Sequence, residues 1–168
     1  MGREKAEQMK SLHRIVYASR VTLNVVPDMD ETLKDILRVA VRENANQGIT
    51  GLLIAHRGWF VQALEGPVSA VRSRFGSIVR DPRHRDVNIL AEGPSEARLF
   101  GAWSMCARVL SATDAAILEV LDRRASFDPA AASERTVVRL LTTVAETHTR
   151  ALNEQHIALM TPRLAKAS

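Results

Sequence analysis

One cysteine cannot close a disulfide within its own chain, and Cys106 is the only one among 168 residues. Such usage fits a reducing compartment. No apolar run approaches the ~20 residues that span a bilayer. The first eleven residues, MGREKAEQMKS, are charged and lack an apolar centre, so a secretory signal is not legible there. These absences predict a soluble, cytoplasmic protein with no membrane partner, beginning with a flexible segment at 1–11. Aromatics make up only 4% of the chain, and Tyr17 is its only tyrosine, so any argument about a phenol concerns one residue.

Several common chemistries also lack their signatures. His13, His56, His84, His148 and His156 are scattered with no pair at ligand spacing, and Cys106 belongs to no C-x-x-C pair, so no metal site is expected. Cys106 reads as a small core residue. No P-loop, no GxGxxG and no arguable Ser/His/Asp set is present. The G-x-x-G of Gly48–Gly51 has the spacing of an RNA-binding KH loop, but it leads into an apolar strand instead of joining two helices. The net charge of +4 is modest and spread along the chain, so a nucleic-acid partner is not expected. A basic cluster meeting one phosphate group would leave the same trace.

What is present is a globular pattern of one domain with an appendage, long enough to bury a core. Residues 12–19 (LHRIVYAS) read as a strand with His13, Ile15, Tyr17 and Ser19 on one face. After a turn through Pro27 and Asp28, Asp30 is a candidate N-cap. Leu33, Ile36, Leu37, Ala40 and Val41 then recur at helical spacing up to a stop at Gly48. Residues 49–56 and 59–65 form a hairpin around His56-Arg57-Gly58. Pro67 opens a second helix, whose stripe is Val68, Val71, Phe75, Ile78 and Val79 and which ends before Pro82. Strands follow at 86–92 and 103–110. The order predicts an α+β fold, a ferredoxin-like βαββαββ sheet with two helices on one face. A helical extension follows at 111–168, with helices at 112–124 and 133–160. Val137, Leu141, Val144, His148 and Ala151 in the latter resemble a seam for another helix.

In the hairpin's second strand, Trp59, Val61, Ala63 and Glu65 face one way, while Phe60, Gln62 and Leu64 face the other. Burying the Gln62 amide unpaired would cost about 1–3 kcal/mol. Gln62 is therefore solvated, bonded to backbone, or addressed to a polar ligand. Tyr17 reads equally as a core aromatic or a ligand contact, and Asn44 as a local helix cap or a ligand contact. Together the three form a constellation drawn from three elements.

The spaced segments IVYAS, ENANQGITGLL, FVQALEGP, VRDPRHRDVNILAEGP, the Arg-Leu-Phe of ARLF, and Trp103-Ser104-Met105 resemble the BLUF family of blue-light sensors that use FAD. The resemblance covers about Leu12 to Leu110 and implies a photosensor domain at 12–110. It implies two helices holding the flavin ring over the sheet, Tyr17 and Gln62 as the photoactive pair, and Asn44 bonded to the ring's polar edge. It further implies apolar walls from Ile36, Leu37 and Ile78, Arg83 and His84 on the ribityl-phosphate side, and Trp103 and Met105 as a relay. Ser19, on the Tyr17 face, joins the expected cofactor-binding set. Glu43 departs from the basic residue or histidine that family members often carry there. The expected activity is light reception without enzymatic turnover. Tyr17 donates an electron and a proton, Gln62 rearranges by rotation or tautomerisation, and the signal passes through the fifth strand and C-terminal helices to a partner protein. A homodimer or higher homo-oligomer is expected. The competing classes are a flavin-dependent oxidoreductase and a cofactor-free ferredoxin-like binding module.

Overall fold

Strand β1 (Leu12–Val21) is an interior strand of the sheet in the computed structural model, bonded on both sides. The structure describes residues 12–22, 28–103, 105–110 and 128–160, and the side chains of that last stretch only to 150. After β1 come α1 (Met29–Asn46), β2 (Thr50–His56), β3 (Trp59–Pro67), α2 (Val68–Val79), β4 (His84–Pro94), β5 (Cys106–Val109), a 3-10 turn at Pro129–Ala131, and α3 (Glu134–Met160). The sheet order is β4-β1-β3-β2-β5, antiparallel except for the parallel β2/β5 pair. This is the predicted α+β, ferredoxin-like arrangement with a helical extension. The flexible segment expected at 1–11 and the helix expected at 112–124 lie outside the described residues.

Local signals account for most boundaries. Arg57 and Gly58 have φ of 45° and 77°, the paired positive values that a two-residue hairpin between twisted strands requires. Gly48, at φ 65°, ends α1 in a conformation that costs glycine little. There the amides of Gly48 and Ile49 donate to the carbonyls of Ala45 and Asn44. The helix starts one residue before the expected cap, and Asp30 instead supplies charge to its first turn. The glycine and proline at 93–94 do not interrupt β4, which lies at the sheet's edge where a proline loses no ladder bond. The fifth strand is shorter than expected, and Trp103 and Met105 precede it.

Period-two alternation splits the core into two layers. On one face Ile15, Val21, Leu53, Phe60, Leu64 and Met105 meet Leu33 of α1 and Val71 of α2. On the other, Val16, Ala18, Leu52, Ile54, Trp59, Val61 and Ala63 meet Val137, Leu140, Leu141, Val144 and Ala145 of α3. Among the described residues, Val137, Leu141 and Val144 of the α3 stripe pack on the sheet, and His148 meets Trp103. A 3.5-residue spacing suits either surface, and the open sheet face lies within the same chain.

Candidate functional site

β1 and β3 lay the floor of the site. Tyr17 and Gln62 are opposite each other in the antiparallel register, and such neighbours have Cβ atoms only about 5 Å apart. The Tyr17 hydroxyl donates to Gln62 Oε1. Gln62 Nε2 donates to Met105 Sδ at 3.2 Å. Tyr17 is fully buried and Gln62 is 4% exposed, so both ends of the amide find protein partners where water does not reach. Burial pushes the Tyr17 phenol well above its ordinary pKa, and the charge of Asp81 adds to the shift, so the hydroxyl keeps its proton. The ring is held edge-on by Phe75 of α2, with centroids 5.3 Å apart.

Above this floor a cavity of about 380 Å³ opens between α1 and α2. Ile36, Leu53, Leu64 and Ile78 form apolar walls, with Gln62 and Met105 at the base. Fully buried Asn44, at the C-terminal end of α1, lines one end together with Arg74 of α2. Asp35 lines the other end, near Asp81, Arg83 and His84. Nine residues separate Asp35 from Asn44, so these ends lie roughly 13 Å apart along the helix.

The basic end differs electrostatically from the expected phosphate cluster. Arg83 Nε donates to both oxygens of Asp81, at 2.9 and 3.0 Å. Burial works against the Asp81 charge, but the hydrogen bonds and charge of Arg83 outweigh it and hold the carboxyl below its ordinary value. Burial lowers His84 to about 4, the positive charge of Arg83 adds to this and Asp81 opposes it, so the ring is neutral at pH 7. Ser19 does not line the cavity, and its hydroxyl instead pairs with His84 Nδ1 at 2.8 Å. Leu37 packs in the apolar layer and is not a lining residue. Tyr17 acts from behind Gln62.

The structure separates the two expected relay residues. Met105 touches Gln62, whereas Trp103 packs with the opposite layer, edge-on to His148 of α3 at 6.0 Å between centroids. Gly51 lies beside this segment, and its amide donates to the Trp103 carbonyl at 3.2 Å. A Cβ on Gly51 would lie 2.3 Å from the Ala63 carbonyl oxygen and 3.2 Å from Met105 Cε, so glycine permits this approach.

Sequence reasoning missed Glu65. Fully buried, it accepts from Arg14 Nε at 2.7 Å and from the backbone amides of Leu99 and Phe100 at 3.0 Å each. Arg98 adds bonds to the carbonyls of Glu65 and Gly48. These contacts anchor the segment leading to Trp103 and Met105. A charge alternating with Trp59, Val61 and Ala63 was a signal as anomalous as Gln62.

The family model described as BLUF, sensors of blue-light using FAD, matches residues 12–106. Photoactivated adenylate cyclase subunit beta of Euglena gracilis is 38% identical over 96 residues, 56% of this chain and 11% of that protein. The chain thus spans about a tenth of the length of such curated relatives. Among solved structures, the dark state of the BLUF protein BlrB superposes with a TM-score of 0.67 at 33% identity, covering 83% of this chain and 98% of that one. Klebsiella pneumoniae BlrP1 with FMN and cyclic diGMP superposes at 0.55 and 36% identity, over 64% of this chain and 29% of that one.

Proposed function

The chain belongs to the BLUF family of blue-light flavin sensors, and we propose that it binds FAD between α1 and α2 and converts light into a rearrangement of Gln62 that a partner protein reads. The observation that carries this is the buried relay from Tyr17 through Gln62 to Met105 at the base of the cavity. The residues fit a flavin. A slot of about 380 Å³ lies in the range of small-molecule sites, with apolar walls for a planar ring. Two buried amides, Asn44 and Gln62, and the Nε of Arg74, which has no hydrogen-bond partner among the described residues, suit a group rich in acceptors. FAD is preferred to FMN because the family model is described by FAD, although one structural neighbour carries FMN.

The flavin supplies a ring that absorbs blue light and becomes a strong oxidant when excited. Tyr17 then gives up an electron and passes its phenolic proton along the existing hydrogen bond to Gln62 Oε1. When electron and proton return to Tyr17, Gln62 is left in its other arrangement, by rotation or tautomerisation of the amide. Donor and acceptor ends of the amide exchange places, so Met105 Sδ loses the N–H it accepts. The loss is read two residues away, where Trp103 meets α3, and from α3 by the partner. There is no net turnover, which makes the protein a receptor.

The test is a light-minus-dark absorption spectrum of protein purified with FAD supplied during folding. A small red shift that recovers in the dark is expected. Tyr17→Phe should abolish it with flavin still bound, and Gln62→Leu should remove it as well. Colourless protein, or an undiminished shift in both variants, would sink the proposal.

A further inference from the structure

We infer that Arg74 is a positioning residue for the flavin, donating to a carbonyl on the pyrimidine edge of the ring, and that Glu43 holds its guanidinium in place. The inference rests on the flavin reading above. Arg74 lines the cavity from α2 and reaches across to α1, where its terminal NH2 donates to Glu43 Oε2 at 3.4 Å. Its side chain is only 16% exposed. A guanidinium carries five N–H donors in a rigid fork. Glu43 takes one of them at long range, and the buried Nε–H meets no acceptor among the described residues. Leaving such donors unmet out of water is unfavourable, and an occupant of the cavity is the natural source of acceptors.

The other two arginines of the lining are already committed. Arg38 pairs with Asp35, and Arg83 is clasped by Asp81. Arg74 is therefore the lining cation, among the described residues, with most donors in reserve. Its position selects the part of the flavin it meets. Glu43 directly precedes buried Asn44, so amide and guanidinium share one end of the cavity. The dimethylbenzene end of a flavin has no hydrogen-bonding atom, whereas the pyrimidine end carries two carbonyls and an imide N–H. Only the latter satisfies an arginine and an asparagine together.

The experiment uses the full chain refolded with riboflavin, which has no phosphate. Affinity is read from quenching of flavin fluorescence, and hydrogen bonding from the infrared carbonyl stretches of the bound ring. Arg74→Met should weaken riboflavin binding on the order of tenfold, the weight of one charge-assisted hydrogen bond, and move a carbonyl band to higher frequency. Glu43→Gln should move both in the same direction by less. If Arg74→Met does not fold, by circular dichroism, Arg74→Lys carries the test, since a point charge cannot reproduce the fork and should shift the same band. Unchanged carbonyl bands overturn the inference even if affinity falls, because Arg74 would then be a strut between helices. Weakened binding of FMN and FAD with unchanged riboflavin binding also overturns it, in favour of a phosphate contact. Wild-type protein that takes up no riboflavin defeats the flavin reading itself, a result distinct from any variant's behaviour.

Discussion

The two faces of the sheet are built from the same strands and put to opposite ends. Alternate residues of β3 send Trp59, Val61 and Ala63 into a dry layer closed by α3, and Phe60, Gln62 and Leu64 into a layer that opens on a cavity. Hydrophobic side chains make up most of the first, with buried Glu65 at its end, and its packing contributes stability. The second carries Tyr17, Ser19, Asn44 and Gln62, all buried, with hydrogen bonds that join strands to each other and to the segment before β5. Dry packing and a polar, cavity-lining network thus lie on opposite sides of one strand, within a residue of each other. Trp103 and Met105, two residues apart, lie one in each layer.

The sharpest way to break this comparison is to damage the dry face and ask whether the cavity notices. Leu141 is fully buried in that layer. Leu141→Ala should cost about 3–4 kcal/mol of unfolding free energy, measured by urea titration without flavin, while riboflavin affinity of the folded fraction stays within about twofold. A parallel fall in affinity would show that the layers are not separable.

A somewhat smaller effect belongs to the cavity face and to pH. His84 is lowered from 6.5 to about 4, chiefly by burial. The unfolded chain therefore binds a proton that the folded chain refuses, and folding favours the neutral ring. That contribution is complete above pH 6.5 and is lost as pH falls from 6.5 towards 4, by up to about 3 kcal/mol. His84→Gln should flatten this limb of the stability curve of the flavin-free protein, and an equally steep limb in the variant would contradict the assignment.

The smallest of the three expected losses tests the join between the faces. Glu65→Gln keeps the shape but leaves Arg14 and the amides of Leu99 and Phe100 without a carboxylate. The expected loss is about 2 kcal/mol, with faster hydrogen exchange at the Leu99 and Phe100 amides. Exchange at wild-type rates would mean that the loop is held by Arg98 alone.

The elements and their order were legible because each has a local cause. Apolar spacing at period 3.6 or 2, Pro67 at a helix start and Gly58 in the hairpin turn all act within a few residues. The conflict at Gln62 was legible for the same reason, since alternation alone places an amide between Phe60 and Leu64. The α3 stripe was legible as a buried face but its cover was not, because apolar spacing records that a face is buried and not what covers it. Which charges of the cavity are already paired was not legible, for a related reason. Arg83 and Arg85 are neighbours in sequence, yet Arg83 is matched by Asp81 and Arg85 by Asp86, and Arg74 from the preceding helix joins Arg83 in the lining.

By itself, then, the sequence determined a sheet of five strands with two helices on one face, an amide at odds with its apolar neighbours on one strand, and resemblance to a flavin-using light sensor that implies Tyr17 and Gln62 as a pair; that the two lie opposite each other on adjacent strands came from the structure. Tertiary structure alone decided that Met105 turns to Gln62 while Trp103 turns to α3, that Glu65 anchors the loop feeding both, and that Arg74 reaches Glu43 across the cavity. Each of these joins residues about 30 or more positions apart. Periodicity and turn chemistry act over a few residues, and they carry no information about which distant side chains the closed sheet brings within a hydrogen bond's length.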